Sequence, residues 1–99
     1  MSTSANNASR PVAASISFEV ENLIVELRDG RSISVPVSWY PRLEHASPVE
    51  RSHWELLGSG SGIRWPDIDE DISVDALLAG RRSTESQSSL ALWLENRRG

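Results

Sequence analysis

Four carboxylates near the middle of the chain are the side chains with the clearest chemical potential. Asp67, Asp69, Glu70 and Asp71 fall within five consecutive positions. Clustered acids can bind a divalent cation, act as a catalytic acid–base pair or contact a basic partner. They can also simply precede a helix, whose N-terminus favours negative charge by roughly 0.3–1 kcal/mol per group. We favour this last role, with partner contact second and metal binding or catalysis third.

The spacing of these acids resembles the start of a calcium-binding loop, which begins D-x-D-x-D. Such a loop also needs glycine at its sixth position and glutamate at its twelfth. Counted from Asp67, those positions hold Ile72 and Leu78. The sequence therefore does not predict a calcium loop.

Other candidate chemistry is sparse. His45 and His53 lack a third nitrogen ligand, and the chain contains no cysteine. The serines of the GSGSG segment, Ser59 and Ser61, lack the flanking elements of a nucleophile elbow, and without any lysine the segment is not a phosphate loop. We expect no catalytic residue, no metal ligand and no cofactor, and we expect the protein not to be an enzyme.

The tryptophans are the second notable feature, because four of them accompany one Phe and one Tyr. Trp54 and Trp65 are predicted to lie in the core, where a large indole buries much apolar area. Trp39 stands beside Tyr40 at the predicted exit from a sheet, where core and surface roles are about equally favoured. Trp93 is predicted on a terminal helix, docked on its own domain or, alternatively, on another chain.

Charge is distributed unevenly along the chain. Residues 47–80 hold two arginines and seven acids, hence a net charge of −5, whereas residues 81–99 hold four arginines and two acids, hence +2. An acidic middle argues against nucleic acid as a ligand and favours a basic protein partner. The chain has no apolar run of the roughly 18 residues that would suggest a membrane span. We expect a cytoplasmic protein.

Alternating apolar residues around Asp29-Gly30 predict a β-hairpin. A two-residue turn would place the apolar residues of the two strands on opposite faces. A three-residue loop at 28–30 instead pairs Val25 with Ile33 and Leu23 with Val35, so that both sets share one buried face. We predict the three-residue loop, preceded by a shorter strand that contains Ile16 and Phe18 and turns near 21–22.

Helix signals begin at Ser47, where Pro48 and Glu50 complete a capping box. They predict a helix from about 48 to 57 that ends at Gly58, followed by GSGSG as a flexible bend. The expected inner contacts of this helix are Val49, Trp54 and Leu57.

Three further elements follow. Residues 62–65 are predicted as a strand, and Ser73 is predicted to cap a helix over 74–79 that ends at Gly80. Leu90, Trp93 and Leu94 recur at helical spacing and predict a C-terminal helix with one apolar stripe. The apolar side of the helix over 74–79 is predicted to consist of Val74, Leu77 and Leu78.

Together these elements predict an α+β fold. We expect a small antiparallel sheet of three to four strands, with two short helices on one face and a C-terminal helix. Residues 1–14 are predicted to be a disordered tail, residues 15–80 a single domain, and residues 81–99 a linker with the C-terminal helix.

Several long motifs make the chain resemble a prokaryotic family called domain of unknown function 2442. They are D-G-R at 29–31, V-P-V-S-W-Y-P-R-L at 35–43, A-S-x-x-E-R at 46–51, G-I-x-W-P-x-x-D-E-D-I-S at 62–73 and L-L-x-G at 77–80. The resemblance implies a small α+β domain without an assigned activity. It also implies an antitoxin-like role, because members are often encoded beside a second small protein in an arrangement that looks like a toxin–antitoxin pair.

Our leading hypothesis is a non-enzymatic module that binds and masks a partner protein, expected to be the product of a neighbouring gene. A homodimer through the C-terminal helix is a further expected arrangement. One alternative is nucleic-acid-linked regulation as a dimer through the arginines at 81, 82, 97 and 98; another is a metal-dependent hydrolase. The residues predicted to contact the partner are Trp39, Arg64, Asp67, Asp69, Glu70 and Trp93.

Overall fold

The computed structural model of the protein describes residues 11–98. The predicted tail, residues 1–14, therefore lies mostly outside the described residues. Two three-stranded antiparallel sheets, four α-helices and two 3-10 turns make up the described chain, which confirms the predicted α+β class. No helix within this part of the chain has the length and apolar character needed to cross a membrane.

The first sheet contains three strands in sequential order, β1 (Ala13–Glu19), β2 (Asn22–Leu27) and β3 (Ser32–Pro36). Leu23 pairs with Val35 and Val25 pairs with Ile33, which confirms the three-residue loop. Gly30 has a φ of +97°, a conformation that residues with a Cβ rarely adopt. Burial of one common face thus decided the register, as the alternation predicted.

The turn between β1 and β2 lies one residue earlier than predicted. It consists of Val20 and Glu21, because Glu19 already pairs with Asn22. Val20 is 91% exposed and has a φ of +54°, which is unfavourable for a β-branched residue. The turn therefore holds a strained residue that makes little contact with the core.

After β3 the chain forms the 3-10 turn Val37–Trp39 and then α1 (Pro41–Glu44), neither of which was predicted. Proline at the first position of α1 suits a helix start, because no N–H is needed there. Tyr40 and Leu43 are buried in the core. Arg42, between them in the sequence, is half-buried, and its guanidinium group donates a hydrogen bond to the Ile68 carbonyl.

The helix predicted over 48–57 is wrong in its second half. The capping box forms as predicted, since Glu50 N–H donates to Ser47 Oγ at 3.1 Å and Ser47 N–H donates to Glu50 at 2.8 Å. However, α2 (Pro48–Ser52) stops after five residues. Of the predicted inner contacts, Val49 is 63% exposed, Leu57 is 38% exposed, and only Trp54 packs against the core.

The residues after α2 belong instead to a second sheet, in the order β4 (Glu55–Leu57), β5 (Gly62–Trp65) and β6 (Glu70–Ser73). The strand at 62–65 is confirmed. The carboxylates at 67–71 do not directly precede a helix: Asp67 lies in the 3-10 turn Pro66–Ile68, and Glu70 and Asp71 lie in β6. The structural role that we favoured for these acids is therefore wrong, because β6 separates them from the next helix.

The GSGSG segment is a hairpin loop between β4 and β5 that contacts the first sheet. Gly60 C=O accepts a hydrogen bond from Ala13 N–H at 2.7 Å. A Cβ on Gly60 would lie 2.6 Å from the Ala13 carbonyl oxygen. The segment thus joins the two sheets by direct backbone contact, and the prediction of a flexible bend is wrong.

The C-terminal part contains α3 (Val74–Leu78), a connecting segment at 81–86 and α4 (Gln87–Arg98). Ser73 Oγ accepts from Ala76 N–H at 3.0 Å, which confirms the predicted cap. Val74 and Leu77 are buried as predicted, but Leu78 is exposed. The helix predicted from the spacing of Leu90, Trp93 and Leu94 is confirmed as α4, although none of its residues is fully buried.

The core lies between the two sheets and beneath α1 and α3. Its largest fully buried side chain is Trp65, whose indole N–H donates to the Arg51 carbonyl at 3.1 Å and whose ring meets Phe18 edge-on at 6.3 Å. The core position predicted for Trp65 is confirmed. The other buried side chains of the core are apolar, apart from the hydroxyl of Tyr40.

Candidate functional site

A groove of about 650 Å³ runs along β6. Its lining consists of residues 69–73 and 81–85, together with Tyr40, Arg42, Leu57, Gly62, Ala76 and Ser89. We call this feature the β6 groove. Its volume is within the range of roughly 300–1,000 Å³ that is common for ligand sites.

Arg42 fixes the connecting segment to the domain. Its Nε donates to both carboxylate oxygens of Glu85, at 2.9 and 3.0 Å, and its Nη2 donates to the same carboxylate at 2.6 Å. The third nitrogen, Nη1, donates to the Ile68 carbonyl at 3.0 Å. The side chains of Arg42 and Glu85 are only 15% and 12% exposed, so this ion pair is well shielded from water.

This ion pair sets the charge state of the groove wall. The Arg42 guanidinium holds the pKa of the Glu85 carboxyl below its ordinary value, and the Ser89 hydroxyl adds a hydrogen bond at 2.7 Å. The pKa of Arg42 is raised by the same contact. Both groups are therefore charged and paired at neutral pH, which leaves neither of them available to a ligand as a free charge.

Two further contacts hold the connecting segment in place. The Tyr40 hydroxyl donates to the Arg81 carbonyl at 2.9 Å, and Ser83 N–H donates to the Trp39 carbonyl at 3.1 Å. The Arg82 guanidinium lies 4.9 Å from the centre of the Trp39 ring, within the distance of a cation–π contact. The wall of the groove is therefore pre-formed.

Glu70 is the unusual group of the β6 groove. Burial raises the pKa of its carboxyl from 4.5 to about 7; the nearby Arg42 charge lowers the pKa, while Glu85 and Asp71 add to the rise. Among the described residues, no side chain donates a hydrogen bond to Glu70. It is therefore a half-buried carboxyl that titrates near neutral pH and has unused acceptor capacity.

The other acids of the cluster are paired at the surface. Arg64 bridges two of them, donating to Asp71 at 2.7 Å and to Asp69 at 3.1 Å. His53 Nδ1 lies 2.7 Å from Asp67 Oδ2. Asp67, Asp69 and Asp71 therefore each have a hydrogen-bonding partner at the surface, and Glu70 stands apart from them.

Trp93 lies in a different environment from the other tryptophans. Its ring is flanked by the guanidinium groups of Arg42 at 5.1 Å and Arg97 at 4.5 Å. Arg97 also makes two hydrogen bonds to Glu50, at 2.9 and 2.8 Å, and this contact lowers the pKa of Glu50 to about 2. In this structure Trp93 thus packs against its own domain, the first of the two predicted arrangements.

The residues predicted to contact a partner are only partly gathered at one place. Asp69 and Glu70 line the β6 groove, and Arg64 adjoins it through its carboxylate partners. Asp67 lies in the 3-10 turn beside His53 and is not part of the groove lining. Trp39 is covered by Arg82, and Trp93 belongs to a neighbouring hollow with Asp69 and Arg42.

Sequence reasoning missed the residues that build the groove. Arg42 and Glu85 are 43 positions apart, and Tyr40 and Arg81 are 41 apart. No local pattern pairs residues at such distances. The only available hint was a charged residue, Arg42, placed between buried apolar neighbours.

The arginines at 81, 82, 97 and 98 do not form one continuous surface. Arg82 stacks on Trp39, whereas Arg97 bonds to Glu50 and stacks on Trp93. Arg81 and Arg82 line the β6 groove, and Arg97 and Arg98 lie at the end of α4. This arrangement lends no support to a continuous phosphate-binding face.

Comparison with known proteins identifies the family. A family model described as Protein of unknown function (DUF2442) matches residues 13–83. The chain belongs to the DUF2442 family. The match confirms the resemblance seen in the motifs and includes β6 with most of the groove, but it ends before Glu85 and α4. No curated protein matches the chain.

Two solved structures are similar to this DUF2442 protein. A protein of unknown function from Rhodospirillum rubrum is 32% identical, with a TM-score of 0.67 over 78% of this chain and 95% of that one. An uncharacterized protein from Chromobacterium violaceum is 21% identical, with a TM-score of 0.67 over 90% of this chain and 82% of that one. Both similarities support the fold.

Proposed function

We propose that this DUF2442 protein is a non-enzymatic module that binds and masks a partner protein, and that the β6 groove is where the partner binds. The observation that carries the proposal is the groove itself: a pre-formed, open cleft beside an edge strand, with a lining that is about equally polar and apolar. A rigid cleft favours binding because little order has to be created when a ligand enters. A cytoplasmic location is part of this proposal, since the sequence contains no cysteine.

The alternatives draw less support from the side-chain arrangement. Within residues 11–98, no group of three or more His, Cys, Asp or Glu side chains is arranged to hold a metal ion, so a metal-dependent hydrolase is not proposed. Nucleic-acid binding is not proposed either, because Arg82 and Arg97 are occupied by Trp39 and Glu50. Glu70 has a raised pKa, but among the described residues no second group stands beside it in an arrangement that acid–base catalysis would use.

The proposal can be tested by site-specific photo-crosslinking in cells of the native host. A photoreactive amino acid would replace Thr84, an exposed residue of the groove wall, and in a matched protein it would replace Val20, which is 91% exposed and outside the groove. We expect a discrete crosslinked partner from position 84 and none from position 20. Equal crosslinking from both positions, or none from position 84, would contradict the proposed function.

A further inference from the structure

β6 is an edge strand of the second sheet, because the strand order is β4-β5-β6. Successive side chains of a strand point to opposite faces. Both Ile72, which faces the core, and Asp71, which faces Arg64 on the outer side, line the groove. The groove also reaches Leu57 of β4 and Gly62 of β5, so it covers part of one face of the second sheet as well as β6, whose other edge β5 does not occupy.

The backbone of β6 has hydrogen-bonding groups directed into this cleft. Val74 N–H donates to Ser61 C=O at 2.9 Å, which sets the phase of the antiparallel ladder between β5 and β6. In such a ladder alternate residues bond to the partner strand, so Glu70 and Ile72 bond to β5. The N–H and C=O of Asp71 then point away from β5 and into the groove.

Edges of this kind are places where another extended chain can pair, unless the protein blocks them. Residues 81–85 of the connecting segment line the groove together with β6, but within the described chain no backbone hydrogen bond joins the two. It is held instead by Tyr40 and Arg42, on the floor of the groove. We call the space between the segment and β6 the slot; within the described residues no backbone pairing closes it.

The charges in the slot indicate which side chain an incoming strand would carry. Asp71 is neutralised by Arg64, and Glu85 is neutralised by Arg42. Glu70, on the core-facing side of β6, has no hydrogen-bond donor among the described residues. A residue of an added strand beside Glu70 would meet this carboxylate directly, and arginine or lysine would complement it.

We propose that the β6 groove receives an extended, arginine- or lysine-bearing segment of the partner protein, which adds to β6 as a fourth strand of the second sheet. This inference rests on the proposed function, because it describes how the same groove holds its partner. Main-chain hydrogen bonds to Asp71 supply affinity, and the contact with Glu70 supplies selectivity. A second copy of this chain, pairing β6 with β6, is the main competing occupant.

Two variants at one position separate strand addition from simple charge attraction. Asp71→Ala removes the carboxylate and keeps the N–H, whereas Asp71→Pro removes both. Proline is tolerated at an edge strand where the N–H faces outward. Thermal unfolding would verify that both variants fold. The probes are peptides selected by the intact protein from a phage-displayed library of random short peptides, then synthesised with normal and with N-methylated backbones.

We expect the selected peptides to carry arginine or lysine within an alternating β-type sequence. Loss of one or two main-chain hydrogen bonds should weaken binding by about tenfold. This loss is expected for Asp71→Pro relative to Asp71→Ala, and for N-methylated peptides on the intact protein. On binding, the amide of Asp71 should become protected from hydrogen exchange. Glu70→Gln should reduce the preference for basic peptides.

Three results would overturn the inference. Peptides that bind in the groove equally well when N-methylated would exclude strand addition and leave the proposed function standing. Failure to enrich any peptide that protects Asp71 would also exclude it. A concentration-dependent dimer that Asp71→Pro dissolves and Asp71→Ala preserves would assign the edge to a second copy. Failure of the proposed function would be seen separately, as the absence of a crosslink from position 84.

Discussion

Trp65 and Trp93 place the same side chain in two contrasting regions of the molecule. Trp65 is fully buried in β5, and its N–H is satisfied by a backbone carbonyl. Trp93 is half-buried on α4, between the guanidinium groups of Arg42 and Arg97. The sheets are therefore held by apolar burial, whereas α4 is held mainly by charged and stacked groups. Salt should act on α4 well before it acts on the sheets.

The largest expected effect is on Trp65. Trp65→Ala should lower the free energy of global unfolding by about 3–5 kcal/mol, because it leaves a large cavity in the core. Trp93→Ala should lower it by less than about 1 kcal/mol, since a cation–π contact near the surface contributes little. Urea unfolding of both variants measures the difference. Equal losses would show that α4 belongs to the same cooperative core.

Arg42→Ala tests what holds α4 and the connecting segment. Removing one partner of a shielded ion pair leaves Glu85 uncompensated, so docking should weaken by about 2 kcal/mol. Hydrogen exchange should show faster exchange in α4 with little change in β2 and β5. Arg98→Ala removes the same charge from an exposed position of α4 and should change exchange by less than about 0.5 kcal/mol. Faster exchange throughout both sheets would contradict the division into two regions.

Glu70 should make the stability depend on pH near neutrality. Burial raises its pKa in the folded protein from 4.5 to about 7, so the folded state binds the proton more tightly than the unfolded state does. The stability that this group contributes is complete below its unfolded-state pKa of 4.5 and is lost as the pH rises through its folded-state pKa of about 7. Glu70→Gln should therefore stabilise by about 1–2 kcal/mol at about pH 8 and have little effect at about pH 4.

The matched control for Glu70 is Glu26→Gln, which removes the same charge from an exposed position of β2. Chemical unfolding of both variants across the pH range provides the measurement. If Glu70→Gln and Glu26→Gln show the same pH profile, the buried environment of Glu70 is not maintained in solution.

Val20→Gly should stabilise the first sheet. Val20 has a φ of +54° and is 91% exposed, so glycine relieves backbone strain while removing little contact. We expect a gain of about 1 kcal/mol in global unfolding free energy, with hydrogen exchange in α4 unchanged. Gly30→Ala, at a φ of +97° and with open space around it, should cost about 1 kcal/mol. A loss of stability in Val20→Gly would show that this turn adopts another conformation.

The smallest effect is expected from the contact between Glu50 and Arg97. This contact lowers the pKa of Glu50 from 4.5 to about 2. The contribution of the contact to stability is therefore present above pH 4.5 and is lost as the pH falls through about 2. Glu50→Gln should weaken docking of α4 by less than about 1 kcal/mol at neutral pH and remove part of its acid sensitivity. Hydrogen exchange in α4, measured across the acid range in the intact protein and in the variant, reports docking. An unchanged acid profile would contradict this role.

The features of the fold that were predicted correctly depend on residues close together in the sequence. The register of β2 and β3 followed from alternating burial around 28–30, and the start of α2 followed from the capping box at Ser47. The end of α2 could not be predicted in this way. Residues 55–57 suit a helix as well as a strand, and pairing with β5 decides between them.

The candidate site was less predictable than the fold. The acidic cluster was visible in the sequence, but the distinct state of Glu70 depends on burial beneath residues that arrive from elsewhere in the chain. Arg42 meets Glu85 only because α1 and the connecting segment lie on the same side of β6. Such a site exists only in three dimensions, so composition and spacing alone gave no account of it.

Gly60 has a consequence for how the sequence can vary. Since a Cβ there would press on the Ala13 carbonyl, every other amino acid would force the two sheets apart at their shared backbone contact. The exposed Ser59 and Ser61 on either side face no such limit. A saturation library of this loop should therefore accept many residues at the serine positions and only glycine at the one between them.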